Sequence, residues 1–129
     1  MIHTQKNRIT GLDSGLYIAV FYMHRSQFIQ IGRLGKFCFQ RGIYFYAGSA
    51  QRNLAARLER HGRKKKPLRW HIDYLSVKAE MLGAIIIPGQ RKHECEIAGE
   101  LGGLFELAVP DFGASDCRCA GHLFYTKQL

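Results

Sequence analysis

Hydrophobic and polar positions in the first third of the chain follow patterns that are typical of β-strands. Residues 15–23 form a continuous apolar run, which predicts a strand in the middle of a sheet. Residues 27–33 and 36–40 alternate between apolar and polar side chains and lie between turns, which predicts two more strands. Residues 42–48 are rich in aromatic and β-branched side chains, which a pleated surface favours. We therefore predict an early antiparallel meander whose last strand ends before Ser49, a residue type that caps helices.

The segment after this strand has the periodicity of an amphipathic helix. Over residues 51–61, Leu54, Leu58 and His61 recur at intervals of four and three, so they lie on one stripe of the helix. Arg57 lies beside that stripe, one turn before His61. The pattern therefore predicts a helix that points a guanidinium and an imidazole toward the same cleft.

The rest of the chain alternates between helical and strand patterns. Helices are predicted over residues 68–77 and 91–107, and strands over residues 84–87 and 121–126. Residues 1–13 are polar and are interpreted as an N-terminal arm that precedes one domain, residues 14–129. We predict the α+β class, with a small, mainly antiparallel sheet flanked by helices.

The composition is that of an ordinary globular domain. Hydrophobic residues make up 47% of the 129 residues, which is enough for one core. The apolar runs are too short for a transmembrane helix, and the first residues lack the apolar core of a signal peptide. We therefore expect a cytoplasmic protein without a membrane partner. The sequence leaves its oligomeric state open.

The formal net charge of +9 indicates a polyanionic partner, most simply nucleic acid. The alternative is a protein that is merely basic, and the clustering of the charge argues against it. The basic side chains concentrate in one predicted helix and the loop that leaves it, at Arg52, Arg57, Arg60, Arg63, Lys64, Lys65, Lys66 and Arg69. Apart from Arg57, we predict that these residues bind the phosphate backbone of DNA.

Four cysteines occur in a chain without a secretion signal, so we do not expect structural disulfides. Cys38 is flanked by Phe37 and Phe39 and is predicted to be a buried apolar residue. The others form a candidate zinc site with one histidine: Cys95, Cys117, Cys119 and His122. The Cys-x-Cys-x-x-His spacing is atypical of a zinc knuckle, and we expect no stoichiometric zinc. The alternative is a packed C-terminal hook in which Ser115 and Asp116 form a turn.

Two short signatures and two longer stretches carry a resemblance to a protein family. The signatures are Gly-Leu-Tyr at residues 15–17 and Tyr-Ala-Gly at residues 46–48, with Arg57 on the helix that follows. The longer stretches are Trp-His-Ile-Asp-Tyr-Leu at residues 70–75 and the segment at residues 112–125. In this order, and over most of the chain, they resemble the GIY-YIG nuclease superfamily and, within it, the DUF123 domain.

The resemblance implies a fold and an activity. The family places its signatures on neighbouring strands, so the literal Gly-Ile-Tyr at residues 42–44 is a decoy, because it lies on the same strand as the second signature. The chain between Tyr17 and Tyr46 is longer than in compact members of the superfamily, so we expect an extra strand or hairpin to loop out. The implied activity is metal-dependent endonucleolytic hydrolysis of DNA, in repair or in the processing of branched DNA. The usual C-terminal Asn of the nuclease core has no obvious counterpart in this sequence.

The resemblance also implies one divalent ion, Mg²⁺ or Mn²⁺, held by a glutamate on a later helix. A hard cation of this kind takes oxygen ligands. The candidates are Glu94, Glu96 and Glu100. Glu94 fits best because Ile97 and Leu101 follow it at apolar helix positions, and Glu96 is the alternative. An exposed carboxylate on the helix surface is the commoner fate of a glutamate.

Four further residues receive catalytic roles through the same resemblance. Tyr17 would act as a general base or orient the attacking water, and Tyr46 would brace the site. Arg57 would clamp the scissile phosphate, and His61 would donate a proton to the leaving group. The alternatives are ordinary ones: core aromatics for the tyrosines, a helix-terminal side chain for the histidine, and a surface ion pair with a nearby acid for the arginine.

Two alternative functions belong to other classes. One is a non-catalytic nucleic-acid-binding module on the same fold, and the other is a zinc-stabilised interaction domain. The combination of two tyrosines, an arginine and a helix glutamate argues for the enzyme, because a pure binding module does not need that set. The sequence leaves open whether DNA or RNA is bound.

Overall fold

The apolar run at residues 15–23 forms a strand with a neighbour on each side. The computed structural model describes residues 13–114 and 119–128, and its main sheet has five antiparallel strands. In spatial order these are β5 (Glu80–Ile87), β1 (Gly15–Met23), β4 (Gly42–Ala50), β7 (Leu123–Thr126) and β6 (Glu106–Leu107). With the helices described below, this is the predicted α+β class.

A separate hairpin loops out between β1 and β4. Its strands, β2 (Gln27–Ile31) and β3 (Gly35–Phe39), form a two-stranded sheet of their own. The predicted meander is therefore wrong, because β1 pairs directly with β4 along its whole length. The expected looped-out hairpin is confirmed. Its inward side chains, Ile29 and Ile31, join the main core.

Cys38 on this hairpin is exposed, so the prediction that it is buried is wrong. Successive side chains of a strand point to opposite faces. Phe39 is buried and Phe37 packs against the core, and together they take the inward face. Cys38 therefore points outward, opposite the exposed Phe28 on the paired strand.

Three helices lie among the described residues: α1 (Leu54–Gly62), α2 (His71–Ser76) and α3 (Glu94–Leu104), the last preceded by a single turn at Arg91–His93. None of them has the length and apolar character that a membrane crossing requires. The helix predicted over residues 91–107 ends earlier because Phe105 adopts an extended conformation and stacks on Phe45, with ring centroids 4.4 Å apart. β5 is longer than the strand predicted over residues 84–87, and α2 is shorter than its prediction.

The start of α1 also differs from its prediction. β4 continues through Ala50, so Ser49 belongs to the strand and does not cap the helix. The N-cap position is Asn53, which has the left-handed conformation. The backbone N–H of Asn53 donates to Asp13 Oδ1 at 2.9 Å, and that of Leu54 donates to the Asp13 carbonyl at 3.1 Å. Asp13, predicted as the end of the arm, therefore anchors the helix; the rest of that arm lies outside the described residues.

Alternate residues of the central strands face two different cores. On one face Tyr17 and Phe21 pack with the hairpin and with Leu54 and Leu58 of α1. On the other face the side chains of β4 and β7 pack against Leu101 and its neighbours on α3. The predicted helical stripe is confirmed, since Leu54, Leu58 and His61 are all buried. The helices α1 and α3 therefore lie on opposite faces of the sheet.

Candidate active site

A cavity of about 420 Å³ opens beside the last residues of β4. β7 pairs with β4 only as far as Tyr46, and beyond that point no other strand of the described residues pairs with this edge of β4. Side chains from both faces of the sheet can meet there. The four residues predicted as catalytic and the preferred ligand of the divalent ion all line this one cavity: Tyr17, Tyr46, Arg57, His61 and Glu94.

Tyr17 and His61 form a buried hydrogen-bonded pair in the wall of the cavity. The Tyr17 hydroxyl lies 2.7 Å from His61 Nε2, and each residue is 1% exposed. Burial raises the pKa of Tyr17 to about 12, although the adjacent Arg57 guanidinium acts in the opposite direction. Burial also lowers the pKa of His61 to about 3, and the Lys66 ammonium adds to this. Both groups are therefore neutral at neutral pH, with the hydroxyl donating to the imidazole.

This pair changes the interpretation of His61. A side chain that protonates a leaving group must carry a proton to give, and an imidazole with so low a pKa is unprotonated at neutral pH. Its Nε2 is also occupied by the Tyr17 hydroxyl. The geometry favours His61 as the acceptor of the Tyr17 hydrogen bond over the leaving-group role that the sequence suggested.

Gly48 makes room for this arrangement. It lies directly opposite Tyr17 in the β1–β4 pair. A Cβ atom at residue 48 would lie 2.6 Å from the Tyr17 hydroxyl oxygen, which is closer than van der Waals contact allows. The tyrosine ring therefore occupies the space of the missing side chain. This contact gives a physical reason for a glycine at the end of the second signature.

Arg57 projects from α1 into the same cavity with its charge available. Its Nη1 donates to the Ser49 carbonyl at 3.0 Å, and its guanidinium lies 4.5 Å from the centre of the Trp70 ring. Among the described residues no carboxylate comes within ion-pair distance of it. Glu59 and Asp73 pair with other arginines. The predicted alternative of a surface ion pair therefore does not apply to Arg57.

Glu94 is the first residue of α3 and reaches the cavity from the other face of the sheet. Its Oε1 accepts a hydrogen bond from Ser49 Oγ at 2.5 Å, and its Oε2 lies 2.8 Å from His122 Nδ1. Burial alone would raise the pKa of Glu94, but the contacts with His122 and Ser49 hold it below its usual value. The cavity thus contains an ionised carboxylate. Of the three helix glutamates, only Glu94 lines it; Glu96 is exposed and lies against His93.

Several lining residues were missed by the sequence reasoning. The sequence predicts Ser49 as a helix cap, but it fixes both Glu94 and Arg57 from the end of β4. Arg91 lies one helical turn before Glu94, and that spacing is the signal that could have found it. His71 Nδ1 accepts the backbone N–H of Gly113 at 2.8 Å, so its ring is held in place at the cavity wall.

The basic cluster around α1 divides into two groups according to the contacts that its side chains make. Arg60 is paired with Asp73 at 2.6 Å. The Lys66 side chain is 1% exposed, and its ammonium donates to the carbonyl of Arg60 and to Ser76 Oγ. Lys64 donates to the carbonyl of Ala79. These three cations therefore make contacts within the fold, although Lys64 is an exposed residue.

The remaining members of the cluster are exposed: Arg52, Arg63, Lys65 and Arg69. Of these, Arg52 and Arg69 line the cavity, together with Arg57 and Arg91. Among the described lining residues, four guanidinium groups therefore accompany one ionised carboxylate, Glu94, so arginines outnumber carboxylates in the cavity wall.

Cys95, Cys119 and His122 form a cluster next to Glu94, which contacts His122. Cys95 and Cys119 are joined by a disulfide, so the expectation of no structural disulfide is wrong in this structure. The expectation rested on the absence of a secretion signal, whereas the fold brings the first turn of α3 beside the segment that enters β7. The ligand atoms of Cys95, Cys119 and His122 lie within 4.8 Å of one another. Cys117, the fourth predicted zinc ligand, lies outside the described residues, as do Ser115 and Asp116 of the alternative hook.

Comparison with known sequences gives one result. The sequence model of a protein family described as "Domain of unknown function DUF123" matches residues 16–129. No curated protein and no solved structure matches the chain significantly. The matched range starts in β1 and contains every residue of the cavity, and its description assigns no activity.

Proposed function

This chain belongs to the DUF123 family, and from the geometry of its cavity we propose that it is a metal-dependent endonuclease that hydrolyses DNA phosphodiester bonds. The observation that carries the proposal is the convergence of a buried Tyr17–His61 pair, an unpaired arginine and an ionised carboxylate in one cationic cavity. A module that only binds nucleic acid needs the arginines. It has no use for a buried hydroxyl–imidazole pair that faces an ionised glutamate.

The arrangement agrees with what the resemblance to GIY-YIG nucleases implies. The two signatures lie on neighbouring antiparallel strands, with Tyr17 opposite Gly48. The helix after the second signature carries Arg57 into the cavity, and a later helix brings Glu94. The extra length between the signatures is taken up by the β2–β3 hairpin, which leaves the pairing of the signature strands undisturbed.

Arg57 is the residue best placed to hold the scissile phosphate. A guanidinium presents several donors in a planar fork that matches the oxygens of a phosphate. One of its nitrogens is held by the Ser49 carbonyl, which fixes the direction of the group. Arg52, Arg69 and Arg91 surround the same space and would contact neighbouring phosphates.

The donor set at Glu94 fits one Mg²⁺ or Mn²⁺ ion. Mg²⁺ is commonly bound through one or two carboxylates, with water and substrate phosphate completing its shell. Glu94 supplies an ionised carboxylate whose orientation is fixed by Ser49 and by His122. When bound, such an ion neutralises charge that develops on the phosphate and the leaving oxygen.

Tyr17 and His61 are placed to position the attacking water. The Tyr17 hydroxyl donates to His61 Nε2, so a lone pair of its oxygen remains to accept a hydrogen bond from water. Tyr17 therefore orients the attacking water toward phosphorus, while His61 fixes the direction of the hydroxyl. The raised pKa of Tyr17 and the lowered pKa of His61 keep both side chains neutral, so the pair positions the water and does not take its proton.

A nuclease assay tests the proposal directly. We expect the purified protein to cleave at least one member of a panel of structured DNAs with Mg²⁺ or Mn²⁺, and to lose this activity in EDTA. Tyr17→Phe removes one oxygen and should lower the cleavage rate by about 10²-fold, because the attacking water loses the group that orients it. Single-turnover cleavage of a labelled strand provides the measurement.

Tyr22→Phe is the matched control, because Tyr22 lies on the same strand but packs against His24 away from the cavity. It should cleave at the wild-type rate. Binding of the whole panel without cleavage of any member would favour the non-catalytic module. A protein that neither binds nor cleaves would contradict both functions.

The positions of the basic side chains predict which of them affect the affinity for DNA. We expect the double variant Arg52→Glu, Arg69→Glu to weaken binding to all DNA sequences alike. It should also reduce the slope of log Kd against log salt concentration by about 0.9 for each duplex phosphate that the variant no longer binds. Fluorescence anisotropy over a salt series gives both quantities.

The control is Lys36→Glu with Lys78→Glu, which changes the charge equally at exposed positions outside the cavity. Lys66 is left unchanged because its buried ammonium stabilises the fold. Equal decreases in affinity for the two double variants would mean that only net charge matters and that the cavity is not the binding surface.

A further inference from the structure

Trp70 is the only tryptophan of the chain, and it lies in the wall of the cavity with 39% of its surface exposed. Large aromatic side chains are usually buried, so an exposed one beside a cationic cavity calls for an explanation. The two residues next to it in sequence, Arg69 and His71, line the same cavity. The segment that carries Trp70 is therefore part of the site over three consecutive residues.

This segment is held firmly in place. The backbone N–H groups of Arg69 and Trp70 both donate to Asp73 Oδ2, at 2.8 and 2.9 Å. Asp73 is completely buried and is paired with Arg60. An exposed ring on a backbone anchored in this way is preorganised, so little entropy is lost when a ligand stacks on it.

The ring also contacts the group that we assign to the phosphate. The guanidinium carbons of Arg57 and Arg60 lie over the ring, 4.5 and 4.6 Å from its centroid. A base would stack on the part of the ring that these two groups leave exposed. A nucleotide whose phosphate is bound by Arg57 therefore brings its own base, or that of its neighbour, within reach of Trp70. The volume of the cavity, about 420 Å³, falls in the range of pockets that enclose one small ligand.

From these observations, and resting on the proposed function, we propose that Trp70 is a stacking platform for an unpaired nucleobase. A base inside a continuous duplex is stacked and paired on all sides and cannot lie flat on a side chain, whereas an unpaired base can. The substrate class that follows is DNA with unpaired nucleotides at the cleavage site, such as single strands, flaps and gaps. Continuous duplex is a poorer ligand.

The competing explanation is that Trp70 serves only to hold the two arginines through cation–π contacts. In that case the ring affects every polyanion alike, whether or not it carries bases. An oligonucleotide of abasic residues separates the two explanations, because it has the same phosphates and no bases.

The single tryptophan makes stacking directly observable. The wild-type protein, kept in EDTA so that no strand is cut, is titrated with single-stranded DNA, with the same length of abasic strand and with continuous duplex. Anisotropy of labelled strands establishes saturation in each case. We expect the tryptophan emission to be quenched by the single strand, weakly affected by duplex and unchanged by the saturating abasic strand. An equal emission change with the abasic strand would overturn the proposal.

Substitution gives an independent measurement. Base stacking on an aromatic side chain changes affinity by about 5- to 150-fold per base, so Trp70→Leu should weaken binding to the single strand by a factor in that range. Binding to the abasic strand should stay within about twofold, and Trp70→Phe should retain most of the affinity because it retains a ring. Thermal unfolding of both variants checks the fold, and the wild-type fluorescence result stands if either fails to fold.

The outcomes separate this inference from the proposed function. If the wild type binds and cleaves DNA but Trp70→Leu weakens single-stranded and abasic ligands equally, stacking is refuted and the nuclease proposal stands. If the wild type binds no DNA of any kind, both are refuted.

Discussion

Arg57→Ala and Glu94→Gln are each expected to lower the rate of DNA cleavage by about 10²–10³ while the fold and DNA binding persist. Arg57 is the guanidinium of α1 that no described carboxylate neutralises, so its removal takes away charge stabilisation where the phosphate is held. Glu94→Gln keeps the shape of the side chain and removes the negative charge that a divalent cation requires. Single-turnover rates at saturating DNA report the effect on the chemical step.

Each variant has a matched control nearby in the chain. Arg63→Ala removes an exposed arginine that pairs only loosely with Glu59, at 3.5 Å and one helical turn away. Glu96→Gln removes a carboxylate two residues from Glu94 that lies outside the cavity. Both controls should cleave within about twofold of the wild type. Wild-type cleavage by Glu94→Gln in Mg²⁺ would show that the metal assignment is wrong.

Asp73→Ala is expected to destabilise the protein by about 3–5 kcal/mol, because it removes one partner of a buried ion pair and leaves the other uncompensated. Asp73 is completely buried, and it accepts two hydrogen bonds from Arg60 in addition to those of the Arg69 and Trp70 backbone. Urea denaturation followed by circular dichroism gives the free energy of unfolding. The control is Glu59→Ala, which breaks an exposed ion pair and should cost less than about 1 kcal/mol.

The same carboxylate predicts a pH dependence of stability. Burial would raise the pKa of Asp73, but the hydrogen bonds from Arg60 and from the Trp70 and Arg69 backbone hold it below its usual value. Its stabilising contribution is therefore complete above the pKa of about 3.9 in the unfolded chain, and is lost as the pH falls toward the folded pKa. Wild-type stability should decrease in that acidic range more steeply than the stability of Asp73→Ala. Parallel curves would contradict the role of this pair.

Much of the fold could be predicted because it depends on local periodicity. The apolar run of β1 and the Leu54–Leu58–His61 stripe of α1 were identified from spacing alone, since burial of one face imposes that spacing. The ends of the helices and strands were harder to predict. Ser49 is a residue type that caps helices, but β4 continues past it because it pairs with β1. The spacing of residues in the sequence does not show which strands pair.

For the candidate site as well, some features could be predicted from the sequence and others only from the tertiary structure. Tyr17, Tyr46, Arg57 and Glu94 were named from the sequence through its resemblance to GIY-YIG nucleases, and all four line one cavity. The sequence did not show which of several candidates of the same residue type reaches the cavity. Glu94 and Glu96 lie two residues apart on α3, which corresponds to a rotation of about 200° around the helix axis. Glu94 therefore lines the cavity, whereas Glu96 is exposed to solvent.

The lysines that follow α1 show most clearly what could not be predicted from the sequence. The sequence by itself determined that this region is basic, that it follows a helix, and that it is adjacent to the candidate site. Lys65 and Lys66 are identical in type and consecutive in the chain. Only the tertiary structure decided that Lys66 is buried against the end of α1 and near Asp73 while Lys65 remains largely in solvent. The physical reason is that the position of a charged group depends on which carbonyls and carboxylates the fold brings opposite it, and those groups come from distant parts of the chain.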